Sequence, residues 1–367
     1  GTNELKFGWI ENHDWEFQSE FTLSANDLAH DFIDLEFPNV DTYAKIYLNG
    51  HLLGTTENCY LIYRYEIRKW AKTGVNKLKM VFQSPVNYQA PKIKNTGITL
   101  PAPNDLGKIA VAPYCRKPQY QFGWDWSLRM TTIGLWKPAS VIVYNANRTV
   151  GKSVYTATLA EDFALMELQW MLRNTTNDTM VWESQLFGSS DVVAENGVLK
   201  RLDRMENPRL WWPRGQGEQH LYTDHWTLKT KTGAVIDSLT QRFGVRRTEL
   251  VNVADQWGTS YTIRVNGRDV FCKGADYIPQ DIFPARVTDA SLRESVLTMY
   301  NCNFNMVRIW GGGYYQPDAF YDACDELGIM VWQDFMFACA MYPGTDGFVT
   351  TVKQELDQQI PRIAAHA

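Results

Sequence analysis

Hydrophobic and polar residues alternate strictly over the early part of the chain. Ile33, Leu35 and Phe37 interleave with Asp34 and Glu36, and Ala44, Ile46 and Leu48 interleave with Lys45, Tyr47 and Asn49. A period of two puts each set on its own face, so both segments read as strands with one buried and one wet side. Asn49-Gly50 then supplies the positive-φ pair of a type I′ hairpin. Leu78, Met80 and Phe82 against Lys77 and Lys79 predict a further strand, and Val141 with Val143 closes the unit. Residues 1–147 therefore read as a β-sandwich. Within it, residues 88–105 carry prolines and little periodicity and predict a long loop. From 148 to 250 the same alternation returns: Ala164, Met166, Leu168, Trp170 and Leu172 share one face. Turn signals at 174–179, 215–217 and 232–233 divide this stretch into short strands, the pattern of an immunoglobulin-like sandwich. Residues 255–262 read as a linker.

Beyond residue 251 the period changes. Apolar runs at 270–273, 304–309 and 329–332 are separated by helix-period segments, which argues for parallel strands with crossover helices. The first helix starts at Thr288 or Asp289 and presents Leu292, Val296 and Tyr300 on one face. The second opens at Gln316-Pro317, carries Phe320, Ala323, Cys324 and Leu327 inward, and stops at Gly328. A third, about 347–365, shows Phe348, Val352, Leu356 and Ile360 at four-residue spacing, and Pro361 is expected to kink or end it. Residues 251–367 thus read as the front of a (β/α)8 TIM barrel, with three strand–helix units of the eight that close one. Chemistry in such a barrel sits at the C-terminal rim of the strands, which nominates Asp276, Arg308, Trp310 and Asp334. Three strands alone leave a sheet edge and apolar surface uncovered, so poor solubility or a covering partner is expected.

Composition narrows the function. A net charge of −5 gives no footprint for nucleic acid, and no apolar run approaches the roughly 18 residues that cross a bilayer. Residues 1–3 do not begin a signal peptide. The six cysteines fall singly, and the four in the barrel segment (Cys272, Cys302, Cys324, Cys339) read as buried thiols. Without a CxxC pair or helically spaced histidines, no metal or other cofactor is implied. Asn147, Asn174 and Asn177 each open an N-glycosylation triplet, a pattern common by chance. Fourteen tryptophans fit core packing and, equally, stacking on the apolar faces of sugars.

One stretch resists a core reading. Trp124-Asp125-Trp126 would bury a carboxylate, so Asp125 either pairs with Arg116 or Lys117 or faces a ligand. Residues 311–313 are all glycine and lie where a phosphate loop would, but no Lys-Ser/Thr follows, which favours a tight turn beside Trp310.

Separated motifs make the domain order specific. Residues 241–246 (QRFGVR) and 271–275 (FCKGA) resemble the barrel entry of family 2 glycoside hydrolases. Residues 122–126 (FGWDW), 210–213 (LWWP), 307–313 (VRIWGGG) and 331–335 (VWQDF) look like the β-mannosidases of that family. The resemblance spans essentially the whole chain. It implies a jelly-roll, galactose-binding-like sandwich, then the immunoglobulin-like sandwich, then the incomplete TIM barrel. It implies a retaining exo-β-mannosidase that acts on terminal β-D-mannose of oligosaccharides, with Trp124, Asp125 and Trp126 reaching the barrel mouth and Trp310 stacking there. Arg308, Asp276 and Asp334 would bind sugar hydroxyls or one another. The family's acid/base and nucleophile glutamates are expected beyond Ala367, so none of these residues is assigned a catalytic role. Asp276-Tyr277 departs from the family's Asn-Trp, and the front of the chain reads as trimmed. The resemblance favours an extracytoplasmic location and sets no oligomeric state. Rival readings are another family 2 specificity (exo-β-glucosaminidase or β-galactosidase), separable with a panel of aryl glycosides, and a non-catalytic carbohydrate-binding protein.

Overall fold

A computed structural model describes residues 6–367. The first sandwich pairs an antiparallel sheet of Trp15–Leu23, Gly74–Gln83, Tyr43–Leu48 and His51–Thr56 with a second of Tyr63–Glu66, Phe32–Phe37 and Ser140–Tyr144. Ile33, Leu35, Phe37, Ile46, Leu48, Met80 and Phe82 form its core, as the alternation requires. Asn49 and Gly50 make the hairpin with φ of 49° and 88°. The expectation that Asp34 faces water is wrong. It is fully buried, because the second sandwich covers that face and supplies Arg148 at 2.8 Å and Arg173 at 3.0 Å. Burial pulls the neighbouring Glu36 carboxyl up, but hydrogen bonds from Arg148 and Arg64 outweigh it and hold the group below its ordinary value.

The long loop expected at 88–105 is also corrected. Its first part belongs to helix α1, Pro85–Thr96. Ser84 caps it by accepting from the amides of Val86 and Asn87, and Gly97 ends it at φ 66°. Pro91 inside the helix and a mostly polar outer face hide it from a periodicity reading.

The second sandwich packs Arg148–Leu159, Phe163–Arg173 and Val198–Glu206 against a sheet of Gly188–Val192, Met180–Ser184, Tyr222–Thr230 and Val235–Phe243. Ala164, Met166, Leu168, Trp170 and Leu172 are all buried between the sheets. Trp170, Trp182 and Trp226 fill the centre, with ring centroids 4.8–5.9 Å apart.

The barrel segment holds three parallel strands: Gly274–Tyr277, Met306–Ile309 and Met330–Gln333. The first lies later than expected. Val270 ends a hairpin strand, Arg268–Val270, that pairs with Thr262–Val265. This hairpin seats Val265 and Val270 against Trp211 and Met330, which explains the apolar run. Nor is 255–262 a plain linker, since it contains part of a short hairpin of Ala254–Asp255 and Gly258–Thr259. Helix α2, Asp289–Asn301, starts with a Thr288–Ser291 capping box and buries Leu292 and Val296. Helix α3, Asp318–Leu327, buries Phe320, Ala323 and Cys324 and ends at Gly328 with φ 73°.

Helix α4 overturns two expectations. It runs Asp346–Ala364, so Pro361 does not end it. Only its last turn follows the proline, and Gln358 and Gln359 anchor that end to the backbone of Ile62 and Tyr60 at 2.8 Å each. Its buried stripe is not Phe348, Val352, Leu356 and Ile360 but Thr351, Glu355 and Gln359, because polar partners on the first sandwich receive them. Of the barrel cysteines only Cys324 is buried; Cys302 and Cys339 are exposed and Cys272 is intermediate. Among the described residues no helix is long and apolar enough to cross a membrane.

Candidate functional site

The parallel register sets Asp276 beside Arg308 on neighbouring strands. Side chains alternate across a sheet, so Val307 and Ile309 pack under the helices while Arg308 takes the opposite, inner face. There its guanidinium binds Asp334 through Nε at 3.1 Å and Nη2 at 2.6 Å, and reaches both oxygens of Asp276 through Nη1 at 3.2 Å. Hydrogen bonds that Arg308 donates to Asp334 hold it above its ordinary pKa against the cost of desolvation, and Asp276 adds to the effect. Asp334 also accepts the Gly311 amide at 3.1 Å. Both its oxygens are therefore engaged and its side chain is only 17% exposed, so it orients Arg308 and the following turn. Asp276, 55% exposed and more loosely held, keeps lone pairs for a ligand.

That turn places Trp310. Its amide donates to Tyr277 O at 3.2 Å, which continues the strand ladder up to the indole. The glycines that follow are required by contact. A Cβ on Gly312 would fall 1.9 Å from the Trp310 ring, and one on Gly311 would fall 2.5 Å from the carbonyl oxygens of Phe335 and Phe337. The tight-turn reading of 311–313 accounts for these contacts.

The first sandwich supplies the opposite wall. After the 3-10 turn Gln119–Phe122, Gly123 adopts φ 114° and the chain forms a narrow loop closed between Trp124 and Ser127, at 2.9 and 3.3 Å. Its tip brings Trp124 edge-on to Trp310 at 4.7 Å and Trp126 to Trp310 at 5.7 Å. Tyr120 stacks on Trp126 at 5.7 Å, while its amide and hydroxyl bond Gly312 O at 3.1 Å and Asp281 O at 3.0 Å. The alternative of a structural ion pair for Asp125 fails. Arg116 pairs with Glu355 and Lys117 with Asp41, which leaves Asp125 exposed on the loop with no side-chain partner among the described residues.

Six of the seven nominated residues thus fall into two adjoining groups joined by the strand that carries Arg308 and Trp310, the indoles of Trp124, Trp126 and Trp310 and a carboxylate–guanidinium–carboxylate row, while Asp125 is exposed on the loop that carries two of the indoles. Sequence reasoning missed Tyr120, Tyr315 and Glu355 and considered Arg116 only as a partner for Asp125, yet these four hold the two walls together. Glu355 carried a faint signal, as an acid in register with Thr351 and Gln359 rather than with the apolar stripe. The grouping also brings together Asp322, Asp325 and His366, whose candidate ligand atoms lie within 4.8 Å. They sit at the far end of helix α3, where His366 Nδ1 is 2.7 Å from Asp325 and the Ala367 amide donates to the same carboxylate at 2.8 Å. This is a hydrogen-bonded pair remote from the rim.

Residues 1–137 match the family described as glycosyl hydrolase 2 galactose-binding domain-like, and residues 173–246 match glycosyl hydrolases family 2. The chain is 31% identical to β-mannosidase B of Emericella nidulans, over all of this chain and 44% of that protein. It is equally similar to the β-mannosidase of Bos taurus, over 99% of this chain and 43% of that one. The crystal structure of a β-D-mannosidase from Dictyoglomus thermophilum superimposes with a TM-score of 0.93 at 34% identity, covering 100% of this chain and 46% of that one. An exo-chitosanase of Amycolatopsis orientalis shares the fold at TM-score 0.71 and 18% identity, over 97% of this chain and 40% of its own. The chain spans less than half the length of the curated relatives it matches.

Proposed function

The chain belongs to the family 2 glycoside hydrolases, and from that premise we propose that the protein carrying it is a retaining exo-β-mannosidase. It removes terminal, non-reducing β-D-mannose from oligosaccharides or glycoproteins. Residues 1–147, 148–250 and 251–367 serve it as sugar-binding-like sandwich, immunoglobulin-like sandwich and barrel front. The observation that carries the reading is the meeting of Trp124 and Trp126 from the sandwich with Trp310 at a barrel strand end, beside Arg308.

An indole offers a flat apolar surface to the C–H face of a pyranose, and an exposed carboxylate accepts from its hydroxyls. Such a mouth holds one terminal sugar, which suits exo-cleavage. Trp124, Asp125, Trp126, Trp310, Arg308, Asp276 and Asp334 form and support it. Asp276 and Asp334 are not the catalytic pair. Both are engaged by the Arg308 guanidinium at 2.6–3.2 Å, which commits them to holding that side chain. Retention needs a protonated acid and a nucleophile about 5–5.5 Å apart. In this reading both are glutamates that follow Ala367 in the complete protein, and the residues present here bind and orient the sugar.

Work outside the cytoplasm belongs to the same reading. Of the glycosylation triplets, only that of Asn177 is fully exposed; Asn147 and Asn174 spend their side-chain amides on Thr176 and Tyr144.

The test is a panel of aryl β-glycosides. The complete protein should turn over the β-mannoside in preference to the β-glucosaminide and β-galactoside, and the 367-residue chain alone should turn over none. Preference for another glycoside, or hydrolysis by the isolated chain, contradicts the proposal.

A further inference from the structure

The two walls of the site come from different parts of the chain, so something must fix their separation. One buried ion pair touches nearly every segment involved. Arg116 is 2% exposed and Glu355 fully buried, and they meet through Nη2 at 2.7 Å and Nε at 3.0 Å. Arg116 Nη1 also donates to Met336 O at 2.7 Å, two residues beyond Asp334. Glu355 accepts from Tyr315 Oη at 2.8 Å, in the loop that follows Trp310, and from Asn58 Nδ2 of the first sandwich at 3.0 Å. The guanidinium lies over Phe337 at 4.5 Å. Burial alone would pull Arg116 down, yet Glu355 lifts it above its ordinary value.

Arg116 also opens the run that ends in the indole loop. From there Lys117 is anchored on Asp41, Tyr120 bonds Gly312, and Gln121 bonds Ile282 O at 3.2 Å, before Trp124 begins the tip. The loop itself is short and exposed; its ends bond each other, Met130 N–H donates to Gln121 O at 3.0 Å, and on the far side Arg129 binds Glu11 at 2.9 Å and Asp105 at 2.5 Å. Arg129 ties that far side within the first sandwich, so the side facing the barrel depends on the run that starts at Arg116.

We infer that Arg116 and Glu355 form a positioning clasp for the sugar site, fixing Trp124, Asp125 and Trp126 against Trp310. Neither residue reaches the mouth. They act through Tyr315, Met336 and the 116–123 run. The inference rests on the reading of this mouth as a glycoside site, but one of its readouts does not depend on turnover. Removing one partner of a buried pair leaves an uncompensated charge, whereas replacing both with apolar residues of similar volume is often tolerated by the fold. The double variant Arg116→Met/Glu355→Leu therefore separates positioning from stability, and Glu355→Gln, which keeps shape and loses charge, is its companion.

In the complete protein, hydrogen exchange is measured over 119–130 and 311–316, with Phe163–Arg173 of the second sandwich as an internal reference. Both variants should exchange faster over the first two segments and unchanged over the third. Displacement of a binding wall by about 1 Å costs about 10²-fold. kcat/KM on the aryl glycoside that the parent cleaves should fall by about that factor, with KM rising at least as much as kcat falls. Wild-type exchange over 119–130 together with wild-type kinetics in either folded variant overturns the clasp. A parent that cleaves no β-mannoside overturns the function reading instead, and the exchange result still decides the clasp.

Discussion

Asp125→Ala in the complete protein should lower kcat/KM on an aryl β-mannoside by about 10²–10³-fold while leaving the melting temperature nearly unchanged. The reasoning starts from exposure. Asp125 sits at the loop tip and makes no side-chain bond among the described residues, so its removal breaks nothing in the fold. Exposed positions away from caps, networks and strain usually shift stability by no more than about 0.5 kcal/mol. On the proposed function the same carboxylate accepts from sugar hydroxyls beside the indoles of its loop. Hydrogen bonds to a charged group are worth about 1.5–3 kcal/mol each, and two at the low end of that range, about 3–4 kcal/mol together, set the expected loss. Kinetics of folded variant and parent, with thermal melts alongside, check it. A drop below about fivefold, or a large fall in melting temperature, would make Asp125 a bystander or a structural residue.

Arg308→Met should act on both function and stability. Methionine fills much of the same volume but leaves Asp276 and Asp334 facing each other without their shared cation. Asp334 is the better buried of the two and keeps only the Gly311 amide. Breaking a well-buried pair costs about 3–5 kcal/mol; here Arg308 is 39% exposed, so water softens the loss to about 2 kcal/mol. Activity should fall further than stability, by about 10³-fold in kcat/KM, because on the proposed function the variant loses a donor at the sugar site and also loosens the turn that carries Trp310. Urea denaturation and steady-state kinetics separate the two effects. Arg308→Lys should recover little of the activity, since one ammonium cannot reproduce a fork that spans two carboxylates. Full recovery by lysine would reduce Arg308 to a simple positive charge.

Both outcomes turn on residues that stood out in the sequence for physical reasons. Trp124, Asp125 and Trp126 drew notice because a carboxylate between two indoles makes a poor core. Arg308 and Trp310 drew it because a polar end on an apolar strand needs a use. Alternation placed the cores of both sandwiches, and Thr288 and Gly328 marked helix ends through chemistry that acts over a few residues. What stayed hidden was set by contacts distant in sequence. Asp34 looks solvated until Arg148 and Arg173 arrive from the second sandwich. Glu355 looks like a surface acid until Arg116, 239 residues away in sequence, meets it. The strand Gly274–Tyr277 lacks an apolar run because its inner face carries Asp276, so the hydrophobic stretch just before it drew the assignment. Local periodicity cannot report a partner that the fold brings from elsewhere.

A crystal structure of the complete protein with a mannose-configured competitive inhibitor puts the whole account at risk at once. The hexose ring should rest on Trp310 with a hydroxyl hydrogen-bonded to Asp125, the loop from the leading sandwich folded over it. A sugar seated in the barrel with Asp125 turned to solvent and Trp124 and Trp126 out of contact would show that the loop is a bystander, and that the mouth described here is not where the enzyme holds its substrate.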